Sequence, residues 1–389
     1  MFPASYSGMA GALLSAMSLA AAAGNDSPDC TQSTLWHAAA SVEAPCTAEL
    51  AKPGLSPRQR AEAFYLRGRG YQFTRRLNQA AADYDAALNL DPAYDDALLG
   101  RANVDLRQGD FDRAVERIQR AIEINPRNAR AYRALGVAYQ NSGAMSEAIK
   151  SFTTALGLDP LEAYALLFRV DAYLATNRYA DALADANALV GLDPAVINRL
   201  GFLDNLGRTE DFHVVALARR AQLYETFGQH EKAAADFDAA VRFNPLSSDA
   251  FLLRSRYRIG LRQYDAALKD AEQAVVVDRS SEVAEAERGR ILNLLGRFDE
   301  ALEALTKAIV LNPGYANAYI LRALAHRALD DTDAAVRDFE SAISLDSGTG
   351  GEIDMIVNAG YWPPDSRPIG MSADLEDAIR ACMLDKACT

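Results

Sequence analysis

The 389-residue chain is predicted to be all-α, a solenoid of stacked helix-turn-helix units, and three observations predict it. Alanine recurs at Ala80, Ala114, Ala148 and Ala182, then at Ala233, Ala267, Ala301 and Ala335, in steps of 34 residues except for one of 51. Twelve residues after six of these alanines stands a proline: Pro92, Pro126, Pro160, Pro194, Pro245 and Pro313. Arg279 and Ser347 hold that place in the other two. Within each period, two helical stretches flank a turn. A fixed period with this pattern marks an array in which each hairpin buries its apolar face only against its neighbours, so the eight units share one continuous core. Half of the residues are hydrophobic and 24% are charged, which suits a folded chain. The net charge of −13 argues against nucleic acid and against an anionic membrane surface, since both require a basic face.

The elements follow in order. Residues 1–23 read as a secretory signal: Gly8 to Gly24 is apolar and alanine-rich, and Ala21-Ala22-Ala23 offers small residues for cleavage. No Lys or Arg precedes Lys52, so the usual positive n-region is missing. The stretch is short for a membrane span, and an integral membrane protein is not expected. Residues 24–60 hold Cys30 and Cys46, with Ser56-Pro57 as an N-cap and N1 pair for the first long helix.

Repeat 3 shows the unit most cleanly. Ala129-Arg130-Ala131-Tyr132 opens helix A, followed by Leu135-Gly136 and Tyr139; Asn141-Ser142-Gly143 makes the turn; helix B carries Ala148, Phe152 and Ala155 before Asp159-Pro160. Gly136 and Ala148 sit where the two helices cross, and proline prevents helix B from continuing. This order of residues resembles the tetratricopeptide repeat. The template places repeats at 61–94, 95–128, 129–162 and 163–196, then at 214–247, 248–281, 282–315 and 316–349. Glu285 replaces the first large apolar residue of repeat 7, and Ala186 and Ala271 replace the helix B aromatic, so looser packing is expected there.

The resemblance implies a right-handed superhelical solenoid. It also implies a partner-binding groove lined by helix A positions 2, 5, 9 and 12: here Tyr65, Arg69, Asn103, Arg130, Arg133, Tyr164, Asp171, Arg256, Arg290 and Arg327. Arg256 and Arg290 share a position in consecutive units with Arg327 nearby, an arrangement suited to an acidic peptide or anionic polymer. The lysine-asparagine clamp of chaperone-tail binders is absent, because Tyr65 and Arg69 stand at its places. Helix A position 7, usually Leu in the family, is Arg in seven units, often with Asp sixteen residues later. The pairs are Arg67 with Asp83, Arg169 with Asp185, Arg220 with Asp236, Arg254 with Asp270 and Arg322 with Asp338. They read as salt bridges tying helix A to helix B; a ladder of ligand-binding arginines is the alternative.

Residues 197–213 are an insertion, apolar at Leu200, Phe202, Leu203, Leu206 and Phe212, and read as a short accessory helix between two four-repeat arms. Residues 350–389 read as a helical cap. Ile353 to Ala359 is expected to form a helix, Tyr361 to Pro368 to be extended, and Ala373 to Leu384 to be an amphipathic helix with Leu375, Ile379 and Met383 on one face. A faint similarity to small peptidoglycan-binding modules, without their glycine-aspartate loop, sits in this region.

All four cysteines lie outside the repeats, Cys30 and Cys46 before and Cys382 and Cys388 after, which suits an oxidising compartment. Of three connectivities, the local pairs are favoured. The first closes a loop worth about 3 kcal/mol in the chain-entropy account. The second requires the last helix to break, because residues six apart on one helix face different ways. The N-terminal pair ahead of the first repeat is similar to exported proteobacterial tetratricopeptide proteins and implies a disulfide-pinned cap. Neither spacing matches a zinc pair, and no metal or cofactor is expected. His37, His213, His230 and His326 are dispersed, with no nucleophile, phosphate loop or dinucleotide fingerprint nearby in sequence, so no catalysis is expected. The sequence therefore predicts a periplasmic or secreted scaffold binding a protein or peptide partner. The alternatives are an envelope factor engaging peptidoglycan or another anionic polymer, and a cytoplasmic adaptor if the signal is not functional.

Overall fold

The computed structural model describes residues 30, 42–193, 212–345 and 379–381; the expected signal, accessory helix and most of the C-terminal cap, with Cys382 and Cys388, lie outside them. Among the described residues there are seventeen long helices and no strand. The chain divides into two bodies, Met1–Glu210 and Asp211–Thr389. The first holds α1 (Glu43–Leu50), α2 (Pro57–Phe73), α3 (Leu77–Leu90), α4 (Asp95–Arg107), α5 (Phe111–Ile124), α6 (Ala129–Asn141), α7 (Met145–Leu158), α8 (Ala163–Ala175) and α9 (Tyr179–Val190). The second holds α10 (Phe212–Thr226), α11 (His230–Phe243), α12 (Ser248–Gly260), α13 (Tyr264–Val277), α14 (Glu282–Leu294), α15 (Phe298–Leu311), α16 (Ala316–Ala328) and α17 (Thr332–Leu345). From α2 onward, even-numbered helices are the A helices of the repeats and odd-numbered ones the B helices. Each A helix packs on its own B helix; the A helices of repeats 1–4 also touch in succession, as do those of repeats 6–8.

Proline turns out to be only part of the stop signal. Every helix B from α3 to α15, except α9, ends at an Asp or Asn whose side-chain oxygen accepts the backbone N–H two residues on. Asp91, Asn125, Asp159, Asn244, Asp278 and Asn312 all do this. That Asx turn ends α13 at Asp278 although Arg279 replaces the proline. Several A helices start with side-chain caps: Ser56 and Gln59 form a reciprocal capping box on α2, and Asn128, Ser247 and Ser281 each accept the third N–H of theirs.

The crossing of helices A and B follows a size rule. A Cβ placed on Gly136 would lie 2.4 Å from the Phe152 ring, and one on Gly289 would lie 2.5 Å from Leu305. These partners are sixteen residues apart. At the same spacing, repeats 4 and 6 exchange the sizes: Val170 faces the Ala186 position and Ser255 the Ala271 position, and all four are fully buried. The expected loosening at Ala186 and Ala271 is thus offset by a larger residue on helix A. Glu285 also departs from expectation. It is 1% exposed and makes ion pairs with Lys307 and with Arg288 at 3.3 Å, so a paired carboxylate occupies the apolar place.

At the N-terminal end, α1 places Val42 and Cys46 in one cluster with Ala61, Tyr65 and Tyr84. Glu43 accepts hydrogen bonds from Tyr71 at 3.0 Å and from Arg76. In the second body, α10 begins at Phe212, so the last two residues of the 197–213 segment already belong to helix A of repeat 5. The helical residues 379–381 close on the last hairpin: Ile379 is fully buried and Arg380 donates to Asp333 at 2.8 Å.

Candidate partner-binding face

The position-7 arginines form a structural ladder. Five of the seven donate Nε and Nη2 to both oxygens of an aspartate: Arg67 to Asp83 at 2.7 and 2.8 Å, Arg169 to Asp185 at 2.7 and 2.8 Å, and Arg220 to Asp236 at 2.8 and 2.7 Å. Arg254 does so with Asp270 at 3.0 and 2.7 Å and Arg322 with Asp338 at 2.7 and 2.6 Å. These aspartates are nearly buried. Hydrogen bonds to the aspartates raise Arg67, Arg220 and Arg322 above the ordinary guanidinium value. For Arg169 and Arg254 burial pulls the other way, but the aspartate still wins.

The same arginines reach backward, a feature the sequence reasoning missed. Nη1 of Arg169, Arg254 and Arg322 donates to Thr153, Asp238 and Thr306 on the preceding helix B, at 2.9, 2.9 and 3.1 Å. Arg101 Nε donates to Asp85 at 3.1 Å, and Arg67 Nη1 to Thr47 of α1 at 3.1 Å. All but Thr47 lie sixteen residues before their arginine, so the signal was a carboxylate or threonine at i−16. Repeat 2, with Arg117 where aspartate was expected, moves the acid to Asp105 on its own helix A, which takes both Arg101 and Arg117.

Six of the ten predicted groove residues come together in the first body around one hollow of about 200 Å³. Repeat 1 contributes Tyr65, Arg69 and Gln72; repeat 2 contributes Asp96, Leu99, Gly100, Asn103 and Arg107; repeat 3 contributes Arg130, Arg133, Ala134 and Val137; and repeat 4 contributes Tyr164 and Phe168. Tyr84 from α3 lies beneath. A Cβ on Gly100 would meet its ring at 2.7 Å, so this helix A can approach Tyr84 only without a side chain. The Tyr84 hydroxyl donates to Gln72 Oε1 at 2.6 Å, and Gln72 donates on to Asn103, which also accepts from Arg107 at 3.2 Å. Burial raises Tyr84 well above the ordinary phenol value, so the ring is a neutral donor.

Around this floor stand the arginines. Arg69 lies over the Tyr65 ring at 6.0 Å and Arg133 over the Tyr164 ring at 5.2 Å. Arg133 Nε is 2.9 Å from Glu162, a charge contact without hydrogen-bond alignment, and Arg130 is 3.4 Å from Asp96. Arg107 differs from the ladder arginines: burial and the charge of Arg75 hold it below the ordinary guanidinium value.

In the second body the predicted residues meet a different setting. Arg290 donates to both oxygens of Glu287 at 2.6 and 3.1 Å, and Arg256 Nε lies 3.8 Å from the same carboxylate, which is 6% exposed. The expected convergence of guanidinium groups is therefore built around an internal acid. Arg327 lies on α16, one repeat further, and Asp171 is half-buried on α8.

The Sγ atoms of Cys30 and Cys46 lie 2.11 Å apart, with Cα atoms 4.6 Å apart. Among the described residues no cluster of His, Cys, Asp and Glu could hold a metal, and no helix is long and apolar enough to cross a membrane.

Family models described as "Tetratricopeptide repeat" match residues 99–157, 142–197 and 218–284, and residues 61–94 and 316–349; one described as "TPR repeat" matches 289–330. The chain belongs to the tetratricopeptide repeat family. No curated protein matches it. Solved structures similar to it include a tetratricopeptide repeat protein from Parabacteroides merdae ATCC 43184, at 22% identity and a TM-score of 0.49, over 67% of this chain and 96% of that one. Pseudomonas aeruginosa pilF matches at 18% identity and 0.44, over 59% of this chain and 96% of its own. The APC/C hetero-tetramer Cut9–Hcn1 matches at 12% and 0.45, over 85% of each chain. Tetratricopeptide repeats point to a protein–protein interaction scaffold, and the family is typically non-catalytic.

Proposed function

We propose that the protein is an exported scaffold of the cell envelope that holds an extended segment of a partner protein against the inner face of repeats 1–4. One observation carries the reading: four consecutive A helices share a hollow with an aromatic floor and an arginine rim. Such a surface offers apolar burial and charge-assisted hydrogen bonds together. Export is supported by the apolar Gly8–Gly24 stretch and by cysteines confined to the regions outside the repeats. The proximity of Cys30 and Cys46 supports a disulfide pinning α1 on repeat 1.

The alternative, an envelope factor engaging peptidoglycan or another anionic polymer through the C-terminal arm, draws on Arg256, Arg290 and Arg327 and on the similarity within residues 350–389; Glu287 already engages the first two arginines. It is not adopted. Crosslinking followed by purification of the full chain tests the partner: Arg130→Glu should abolish a specific crosslinked band, whereas retention of that band together with sedimentation on sacculi would favour the polymer. Fractionation tests export. A protease-protected mature chain starting near Gly24 is expected in the periplasm, and an uncleaved cytosolic chain would favour the adaptor.

A further inference from the structure

We propose that Asn103 takes a main-chain carbonyl of the partner's extended segment on its side-chain amide nitrogen, inside the hollow of repeats 1–4. The proposal rests on the partner-holding role of this face and adds the atom that meets the segment's backbone.

A single fixed donor sets the polarity of the hydrogen bonds beneath the hollow. Arg107 Nε carries a hydrogen and cannot accept one, and it lies 3.2 Å from the Asn103 side chain, so the atom facing it is the oxygen. That same oxygen accepts from Gln72 Nε2, which turns Gln72 Oε1 toward Tyr84, and the Tyr84 hydroxyl donates to it at 2.6 Å. Gln72 is nearly buried and Tyr84 fully so, and neither can turn over without losing these bonds. With its oxygen engaged inward, Asn103 shows the hollow its nitrogen. The residue is half-buried and lines the hollow; among the described residues no group accepts from Nδ2, and none seals that atom off. Leu99 and Leu106, one turn away on either side along the same helix, line the hollow too and bring no side-chain acceptor. A segment that dries this floor has to supply an acceptor or leave the amide N–H groups unpaired. A main-chain carbonyl meets the need. It is as uncharged as the leucines beside it, and an extended segment turns one toward the same side at every second residue, whatever its sequence. Asn103 thus holds the backbone and not a particular side chain.

Side-chain amide exchange in the full chain, followed by NMR, tests the polarity. The Gln72 Nε2 protons should exchange at least about tenfold more slowly than those of Asn103 Nδ2, and the reverse order overturns the proposal. N-acetyl-leucine N-methylamide, an uncharged probe carrying main-chain carbonyls, tests the contact: titrating it should move the Asn103 Nδ2 proton resonances downfield and saturate. Asn103→Asp keeps an oxygen toward Gln72 and Arg107 but removes the donor. It should weaken the probe about tenfold while leaving the urea midpoint unchanged or higher. An Asn103 resonance indifferent to the probe, or probe affinity unchanged in Asn103→Asp, overturns the proposal; the second result is what a purely structural Asn103 gives. So does tight binding of 4-methylpentanoate, which keeps the branched side chain but offers a carboxylate in place of amides, if it matches the probe and loses as much on Asn103→Asp. The use of the face is judged separately: a crosslinked partner lost on Arg130→Glu but kept on Asn103→Asp leaves that reading standing and removes this one.

Discussion

The inner faces of the two bodies are built on one scaffold and hold opposite chemistry. In the first, helix A position 6 reads Leu66, Gly100, Ala134 and Phe168, and the last three line a hollow shared with Arg69, Arg107, Arg130 and Arg133. In the second, the same positions read Arg219, Leu253, Glu287 and Leu321, and Glu287 draws in Arg256 and Arg290. Both bodies share the ladder of arginine and aspartate pairs. The repeat's framework residues are therefore common to both faces, and a variable position such as Glu287 changes how the arginines of a face are engaged.

If the ladder is common framework, breaking it should cost the same in either body. Asp185→Ala in the first and Asp236→Ala in the second each strand a partly buried guanidinium, and each should lower stability by up to about 3–5 kcal/mol, read as the shift of a urea or thermal midpoint. Arg220→Leu with Asp236→Ser should recover most of the loss, because repeat 3 is stable with Leu135 and Ser151 at these places. A large loss in one body alone would break the comparison.

Helix crossing comes next in size. Gly136→Ala forces the Phe152 ring to move and should cost about 1–3 kcal/mol. Gly157→Ala, in the same repeat but with open space around it, should instead stabilise by roughly 0.5–1 kcal/mol. Matching signs for the two would refute the size rule.

The contrast between the faces can be sharpened by removing its cause. Glu287→Ala should release Arg256 and Arg290 and give the second body about threefold or more gain in affinity for an acidic peptide, visible as added binding beyond one equivalent in a calorimetric titration. No gain would mean that other features close that face.

The smallest effect concerns the N-terminal helix. Hydrogen bonds from Arg76 and Tyr71 hold Glu43 below the ordinary carboxylate value. A lowered value contributes stability that is present above the unfolded glutamate range and lost as pH falls through the folded one. Hydrogen exchange in residues 43–50 should therefore be faster relative to α3 at about pH 3 than at about pH 7, and Glu43→Gln should flatten that dependence.

Much of this was legible in one dimension, and for a definite reason. The 34-residue period, the helix-turn-helix order and the Arg-to-Asp spacing of sixteen are contacts within a hairpin, where a short turn fixes which residues meet. Six groove positions of the first body, from Tyr65 to Tyr164, also came together because position numbers translate into one face of packed A helices. Contacts between hairpins were harder to read. The backward reach of Arg169 to Thr153 depends on how one hairpin lies against the next, while the transfer of the acid to Asp105 in repeat 2 and the pairing of buried Glu285 with Lys307 stay inside one hairpin but depart from the repeat's template.

What the sequence by itself determined was the family, the repeat boundaries and the pairing of charges inside each unit, because these are set by helical periodicity and local stops. Only the tertiary structure decided which arginines gather at one hollow and which converge on a buried acid. Glu287 and Arg256 are 31 residues apart, and their approach follows from the rotation of one repeat on another, a quantity that no local pattern encodes.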